Sequence, residues 1–420
     1  MSSLLISDVT LVDGTEPTHI FVEDGVISQI GQRVDADRTI DGKGHVAMPG
    51  LVNTHTHAAM VLLRGFGDDM LLHEWLSDRI WPVEARLTPD DVYWGTRLAC
   101  LEMIRTGTTA FNDMYFFGPR MADAAHDAGV RAVISEGFID LFDDEKREAN
   151  ITATEATTRH IRQLKDSLVA PAVGPHAVYT VSPQGWEWVR DYAAREEILV
   201  HTHLAETAME VEECRRDHGA SPAGLLERLG VLEMPVVAAH NVHLDDEDIA
   251  LMGRRGVAAS HNPVSNMKLA VGGIMPWADL ASANAPTVLG TDGAASNNSL
   301  DMFETMKTAA LLQKLGGDPT VLPATEVLEA ATVKGARALG LPGGRIAEGE
   351  AADIVLVHMR RTGMQPVHSI VSNLVYAGAG HAVTATICDG NVLMEDGFIE
   401  GEKEVLAQAT NVAKDLISRE

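Results

Sequence analysis

The sequence is poor in cysteine and in long apolar runs, and each shortage argues against a class of protein. Its three cysteines, Cys100, Cys214 and Cys388, are far apart and in no Cys-X-X-Cys spacing. This argues against a disulfide framework and a thiolate zinc site, so any metal should be held by histidine and carboxylate. No apolar run approaches the roughly 18 residues that span a bilayer, and the first residues lack a signal peptide's basic segment and cleavage site. We therefore expect a soluble, cytoplasmic protein that binds no membrane.

Lysine is also scarce, and the charge balance is strongly acidic. Only nine of the 33 basic residues are lysines, and 60 acidic residues bring the net charge to −27. This acidity repels nucleic acid and anionic lipid, so neither is expected as a partner. An ordinary solvated surface is one explanation of the charge. Adaptation to a high-salt cytoplasm, where screening removes the self-repulsion, is the explanation we favour.

The order of apolar segments predicts an α/β fold, a (β/α)8 TIM-type barrel over residues 49–340 with helices between its strands. The first strand ends at His57, and the others are predicted at 108–111, 131–134, 168–173, 198–200, 236–239, 257–259 and 287–289. Residues 1–48 and 341–420 instead carry short β-type segments with tight Asp24-Gly25 and Asp389-Gly390 turns. Because both ends have this character, we expect the chain termini to form one small β-sandwich domain together.

Histidines and one aspartate follow the predicted barrel strands. His55 and His57 end the first strand, and they point the same way because side chains alternate faces with a period of two. In such a barrel the working residues lie at the C-terminal ends of the strands. Later strand ends carry His176, His201, His203, His240 and Asp292. Together these nitrogen and oxygen ligands suit an ion such as Zn²⁺.

Glu206 follows His203 by three residues. At that separation a carboxylate can shuttle protons without itself binding the metal, which is the position of a general acid or base. A favourable acid in the first turn of the next helix would show the same spacing, so a purely structural role stays open here.

Motifs along essentially the whole chain resemble the amidohydrolase superfamily. They are Pro49-Gly-Leu-Val-Asn-Thr-His-Thr-His57, His203-Leu-Ala-Glu206, Ala239-His240, Gly290-Thr-Asp292-Gly293 and Gly344-Arg-Ile-Ala-Glu-Gly-Glu-Ala-Ala-Asp353. A second set is similar to the 5-methylthioadenosine/S-adenosylhomocysteine deaminases, and guanine deaminases and triazine hydrolases share several of its motifs. It comprises Arg64-Gly65, Glu74-Trp75-Leu76, Trp81-Pro-Val-Glu84, Gly174-Pro-His176 and Thr291-Asp-Gly-Ala-Ala-Ser-Asn-Asn298.

The resemblance implies a role for each strand-end group. Four side chains would bind one divalent metal ion: His55, His57, His203 and Asp292. Three groups would handle protons in catalysis: Glu206, His240 and Asp292. Members with two metals use a carboxylated lysine at the end of the fourth strand, where this sequence reads Gly174-Pro-His176, so one metal ion per subunit is expected. Zn²⁺ is the first choice, and Fe²⁺ or Mn²⁺ would suit the same ligands.

The implied reaction is the hydrolytic deamination of a 6-aminopurine nucleoside by a metal-activated water, giving the 6-oxo product and ammonia. Candidate substrates are methylthioadenosine, adenosine and S-adenosylhomocysteine. Guanine, a pyrimidine or a triazine, each handled by a related hydrolase, is the alternative. The family also implies a part in nucleoside salvage and a homo-oligomer, either a dimer or a tetramer.

A long insert, residues 58–88, follows the first strand and is placed to cover the site. It contains Trp75 and Glu84, which would offer a stacking face and an acceptor for ribose hydroxyls, although a packed helical excursion would look the same. His176 and Ser296 resemble the family's contacts to the purine and nearby groups.

The segment after the third strand departs from the family pattern. Members that accept S-adenosylhomocysteine place arginines there to meet its carboxylate, whereas this chain has Glu136, and Arg147 is the nearest arginine. An acid at position 136 would disfavour a carboxylate. We therefore expect methylthioadenosine or adenosine to be preferred, with Arg147 as the remaining candidate for binding a carboxylate.

Overall fold

The N-terminal residues form part of a small mixed sheet. The computed structural model describes residues 3–70, 72–165 and 168–419. Its first strands are β1 (Ser3–Leu11), β2 (Pro17–Glu23), β3 (Val26–Ile30), β4 (Arg38–Asp41) and β5 (His45–Pro49). The predicted Asp24-Gly25 turn joins β2 to β3, and both residues have positive φ (51° and 80°), which suits a two-residue hairpin turn.

The next eight strands pair in chain order, all parallel, and form the predicted barrel. They are β6 (Leu51–Thr56), β7 (Thr108–Tyr115), β8 (Arg131–Phe138), β9 (Val169–Pro175), β10 (Leu199–Leu204), β11 (Val236–His240), β12 (Ala258–His261) and β13 (Thr287–Leu289). The Thr54 hydroxyl on β6 donates to the Leu289 carbonyl on β13 at 2.9 Å, which closes the ring. Each strand contributes one side chain to an apolar interior layer: Val52, Ala110, Val133, Ala172, Leu199, Val237, Ala258 and Val288.

Helices lie between and after the strands of the barrel. They are α1 (Leu72–Trp75), α2 (Trp81–Glu84), α3 (Pro89–Arg105), α4 (Gly118–Ala128), α5 (Asp144–Leu164), α6 (Pro183–Glu196), α7 (Ala208–His218), α8 (Pro222–Arg228), α9 (Asp246–Arg255), α10 (Pro263–Lys268), α11 (Trp277–Ser282), α12 (Met302–Gln313), α13 (Ala324–Ala330) and α14 (Val333–Ala338). Residues 208–228 form two helices rather than one, because Gly219 ends α7 in left-handed backbone (φ 63°) and Ser221-Pro222 begins α8. No helix among the described residues is long and apolar enough to cross a bilayer.

The chain then returns to its beginning. Strands β14 (Ile354–His358), β15 (Val383–Cys388) and β16 (Asn391–Glu395) extend the N-terminal sheet in the order β16-β15-β14-β5-β1-β2-β3, with β4 beside β1. The expected terminal β-domain is thus one mixed sheet, whose core draws on both chain ends: Leu4, Ile6, Val9, Ile20, Val22, Ile27, Ile40, Ala47, Ala352, Ile354, Leu356, Ala385 and Ile387. Helix α15 (Ile370–Tyr376) packs on α13, and α16 (Glu402–Ser418) packs on α3 of the barrel.

A buried ion pair joins the barrel to the terminal sheet. Arg131, the first residue of β8, donates to Asp353 at 2.7 Å and to Asp389 at 2.6 Å, and its side chain is only 2% exposed. Asp353 also accepts the backbone N–H of Asp389 at 2.8 Å. The negative charge of Asp353, just before β14, is therefore balanced by Arg131 of the barrel.

Replacing Arg131 by methionine is expected to lower the free energy of unfolding by about 3–5 kcal/mol, because it leaves the Asp353 charge buried and unpaired. The measurement is unfolding in urea, monitored by circular dichroism, and the first transition is the one compared. Arg195→Met is the matched control, since Arg195 pairs with Glu196 on the open surface, and we expect no measurable change there. Equal effects of the two substitutions would contradict a special role for the buried pair.

Candidate metal centre and active site

The C-terminal ends of three barrel strands bring four predicted metal ligands together. His55 lies on β6 and His57 directly follows that strand, His203 lies on β10, and Asp292 follows β13. The Nε2 atoms of His57 and His203 are 3.2 Å apart, and the Asp292 Oδ1 atom is 3.4 Å from Nε2 of His55 and 3.4 Å from Nε2 of His57. A tetrahedral ion with bonds of 2.0–2.1 Å separates its ligand atoms by about 3.3 Å, so these spacings fit the edges of such a polyhedron.

The hydrogen bonds around these ligands also fit a divalent metal. His57 donates from Nδ1 to the Met114 carbonyl at 2.6 Å, and His203 donates from Nδ1 to the His176 carbonyl at 2.8 Å. These bonds leave the Nε2 lone pairs of both rings free for a metal ion. Nε2 of His55 is fully buried and has no hydrogen-bond partner among the described residues. A bound cation would give this buried nitrogen a partner.

Asp292 is held in place by three donors. The Gly293 N–H donates to its Oδ1 at 2.7 Å, and Ser265 and Ser296 donate to its Oδ2 at 2.6 and 3.1 Å. Oδ1 faces the histidines, while Oδ2 lies toward the two serines. The carboxylate orientation is therefore fixed before any metal or substrate arrives.

Glu206 and His240 lie beside this cluster, with His240 Nδ1 3.8 Å from Glu206 Oε1. Burial raises the pKa of Glu206 above its ordinary value, which favours a carboxyl group that can give up a proton. Burial also acts to lower the pKa of His240, but the charges of Glu206 and Asp292 outweigh it, and the net direction is upward. The pair can therefore exchange protons with a bound molecule.

Strained backbone accompanies these groups. His240 and Asp292 have φ of 72° and 64°, and Ala205, which precedes Glu206, has φ of 50°. Residues other than glycine rarely adopt this left-handed backbone region, and strained backbone of this kind is concentrated at functional sites. At Glu206 it is supported by the buried Glu210, whose carboxylate accepts the N–H groups of Ala205 and Glu206 at 3.0 and 2.8 Å.

One cavity opens above the cluster, and it contains most of the predicted substrate residues. Trp75, Glu84, His176 and Ser296 line it together with the proton-handling groups. Glu84 accepts a hydrogen bond from the Tyr115 hydroxyl at 2.8 Å, which fixes one of its oxygens and orients the other.

Arg147 is not among the residues that line this cavity, and the structure instead places it on α5, where it pairs with Asp144 at 2.8 Å. Glu136 also turns away from the cavity, to the start of α4. Its carboxylate accepts the N–H groups of Phe117 and Gly118 at 2.9 and 2.6 Å and the Thr157 hydroxyl at 2.9 Å. The negative charge predicted after the third strand is present, but it is committed to a helix N-terminus.

Other groups at the site were not predicted from the sequence. Asn266 accepts from His240 Nδ1 at 2.8 Å, and Ser265 contacts Asp292 as described above. Both belong to Asn262-Pro-Val-Ser-Asn266, directly after β12, so the strand-end rule could have identified them. Tyr115 at the end of β7 carries the same signal.

Comparison with known proteins agrees with this geometry. Residues 46–393 match the amidohydrolase family. A 5'-deoxyadenosine deaminase of Methanoregula boonei is 54% identical over 99% of this chain and 96% of that protein. A 5-methylthioadenosine/S-adenosylhomocysteine deaminase of Archaeoglobus fulgidus is 46% identical over 94% of each. The crystal structure of an adenosine deaminase from Xanthomonas campestris with bound zinc superimposes with a TM-score of 0.94, at 36% identity over 99% of each chain.

These matches extend over the barrel, the terminal sheet and every metal-binding motif recognised in the sequence. The chain belongs to the amidohydrolase family.

Proposed function

We propose that this enzyme hydrolyses the 6-amino group of a purine nucleoside, giving the 6-oxo nucleoside and ammonia. The observation that carries the proposal is the close approach of three histidines and Asp292, which suits a metal ion, beside a cavity lined by His240 and by Glu206, an acid with a raised pKa. Deaminases of adenosine-type nucleosides are the relatives at 36–54% identity. This relationship supports a nucleoside as the substrate, rather than guanine, a pyrimidine or a triazine.

In the proposed site His55, His57, His203 and Asp292 hold one Zn²⁺ ion. An N₃O ligand set suits zinc, and the similar adenosine deaminase contains it. When bound, the ion lowers the pKa of a water molecule toward neutrality. Fe²⁺ or Mn²⁺ would occupy the same ligands, and metal analysis of the purified protein distinguishes them.

The side chains then divide the proton transfers between them. The Glu206 carboxyl protonates the ring nitrogen next to C6, which makes that carbon electrophilic. His240 and Asp292 take the proton of the attacking water and hold it. Glu206 recovers a proton from the hydroxyl group that the water has become and passes it to the amino group, which leaves as ammonia. The proton held by His240 and Asp292 then returns to Glu206. Water supplies the oxygen of the product, so atoms and charge balance.

The cavity suits the rest of a nucleoside. Trp75 and Tyr115 offer aromatic surfaces to the purine, and Glu84 can accept ribose hydroxyl groups. Burial lowers the pKa of His176 to about 3, so its ring is neutral and can hydrogen-bond with the base.

We infer further that the 5' substituent of the substrate is uncharged. No lysine or arginine is found among the described residues that line the cavity, and Arg147 is already paired on α5. A carboxylate carried on the 5' side would lose its hydration there without gaining a cation. This favours 5'-deoxyadenosine, methylthioadenosine or adenosine over S-adenosylhomocysteine.

Turnover of these four nucleosides, measured side by side by the ultraviolet change from 6-amino to 6-oxo purine, tests this inference. S-adenosylhomocysteine is expected to have a specificity constant at least about tenfold below the best of the others, a difference of about 1.4 kcal/mol. The highest specificity constant for S-adenosylhomocysteine would contradict the inferred uncharged 5' side. No turnover of any of them by the zinc-loaded protein would contradict the proposed reaction.

We also propose that the acidic surface adapts the protein to high salt. The net charge of −27 is self-repulsive in dilute buffer, and molar salt screens it because the Debye length falls to about 3 Å. The midpoint of thermal unfolding should therefore rise by several degrees from dilute buffer to molar potassium chloride. A midpoint that is unchanged or lower in molar potassium chloride would contradict this proposal. Sucrose at matched viscosity serves as the uncharged control.

The remaining expectations are that the enzyme works in the cytoplasm, in nucleoside salvage, as a dimer or tetramer. The nucleoside-deaminase relatives support the part in nucleoside salvage. Sedimentation of the purified protein tests the assembly, and a monomer at micromolar concentration would exclude it.

A further inference from the structure

His201 lies on β10 two residues before the ligand His203, and so on the same face of the strand. Its side chain is completely buried, and its Nε2 atom is 2.8 Å from Nδ1 of His55. The two rings meet edge to face, with centroids 5.0 Å apart. A histidine outside the ligand set thus contacts one of the ligands directly.

The direction of this hydrogen bond follows from the chemistry of a metal ligand. If His55 offers the lone pair of Nε2 to the metal, its ring proton must be on Nδ1. His55 then donates, and Nε2 of His201 must accept. A neutral His201 that accepts at Nε2 carries its own proton on Nδ1. The tautomers of both rings are therefore determined together.

The other two histidine ligands are held differently. His57 and His203 donate to the backbone carbonyls of Met114 and His176. Those acceptors are backbone atoms and depend on no particular side chain. Among the three histidines, only His55 has a side chain as the partner of its Nδ1 atom, and its Nε2 atom is buried without a hydrogen-bond partner among the described residues.

We propose that His201 is a positioning residue that fixes the tautomer and orientation of His55, and that it thereby sets the affinity of the protein for its metal ion. The inference rests on the metal centre of the proposed function. Groups that accept from the far nitrogen of a metal-bound histidine are worth about ten- to a hundredfold in metal affinity or activity. An ordinary buried histidine would contribute packing alone.

Two substitutions of similar size separate these roles. His201→Gln places an amide oxygen near the position of the lost Nε2 atom, so it can still accept from His55. His201→Met fills the same space without an acceptor. His261→Met is the matched control, because His261 is equally buried, also ends a barrel strand, and contacts Trp277 and Gln313 rather than a ligand.

The readout is the Zn²⁺ dissociation constant, measured on the metal-free proteins by competition with a chromophoric chelator and without substrate. We expect His201→Met to raise it about ten- to a hundredfold, with His201→Gln and His261→Met within about threefold of the unsubstituted protein. An unchanged constant in His201→Met, or equal losses in His201→Met and His261→Met, would overturn the proposal. If the unsubstituted protein bound no zinc, the metal centre itself would fail, which is a separate result.

A second measurement does not depend on His201→Met. Histidine-selective ¹⁵N labelling of the zinc-loaded protein reports which ring nitrogen carries each proton, and His201→Gln identifies the His201 signals. His201 should be protonated at Nδ1 and not at Nε2. Protonation at Nε2 would make it a donor toward His55 and would overturn the proposal even if His201→Met failed to fold.

Discussion

Glu206→Gln is expected to reduce turnover by about 10²–10⁴-fold while the metal ion stays bound, because proton delivery is lost and the ligand set is untouched. Glutamine has nearly the same shape, and the backbone at position 206 remains anchored by Glu210. The measurement is kcat with the best nucleoside, together with zinc content per chain. Both are needed, since loss of metal would lower kcat for another reason.

The matched control for this substitution is Glu212→Gln, which removes the same charge from the exposed side of α7. Its turnover should stay within about twofold of the unsubstituted enzyme, because surface charge acts weakly on a screened, distant site. Should Glu206→Gln keep activity within about tenfold, the role of Glu206 as the acid would have to be abandoned.

Asp292→Ala should affect both metal and turnover. Its Oδ1 atom lies 3.4 Å from two ligand nitrogens, so removing the carboxylate takes away one ligand and the only negative charge among the four. Zinc content should fall below about one-tenth per chain after dialysis, and kcat by at least about a thousandfold, since the ion contributes several kcal/mol.

Asp113→Asn provides the comparison for Asp292→Ala. Asp113 is also a buried carboxylate at a strand end, but it accepts the N–H of Ala58 at 2.8 Å and is not one of the proposed ligands. Burial raises its pKa to about 7, so the neutral amide is a mild change. The Asp113→Asn variant should keep its zinc. One zinc ion per chain in the Asp292→Ala variant would show that Asp292 is not a ligand.

Much of this site is predictable because strand geometry is regular. The period of two places His55 and His57 on one face, and the strand-end rule gathers His203, His240 and Asp292. Neither argument needs side-chain conformation. The same rule would have reached Ser265 and Asn266 had the segment after β12 been considered.

Other features depend on conformations that the sequence does not specify. Arg147 is near the site along the chain, yet an i,i+3 pair with Asp144 holds it on the helix surface. Glu136 turns toward two backbone N–H groups, because a buried carboxylate gains more from those donors than from an apolar cavity wall. The contact of His201 with His55 joins two strands far apart in sequence, and only the folded barrel places their rings together.

The pairing of β5 with β14 has a consequence for how the protein is made. Residues 49 and 354, which face each other in that ladder, are 305 positions apart (354 − 49). At the usual ~5–20 residues per second of ribosomal synthesis, the free edge of β5 waits about 15–60 s for its partner. The unpaired backbone groups of such an edge can pair with other chains. The nascent protein should therefore need protection by chaperones until its last 70 or so residues emerge.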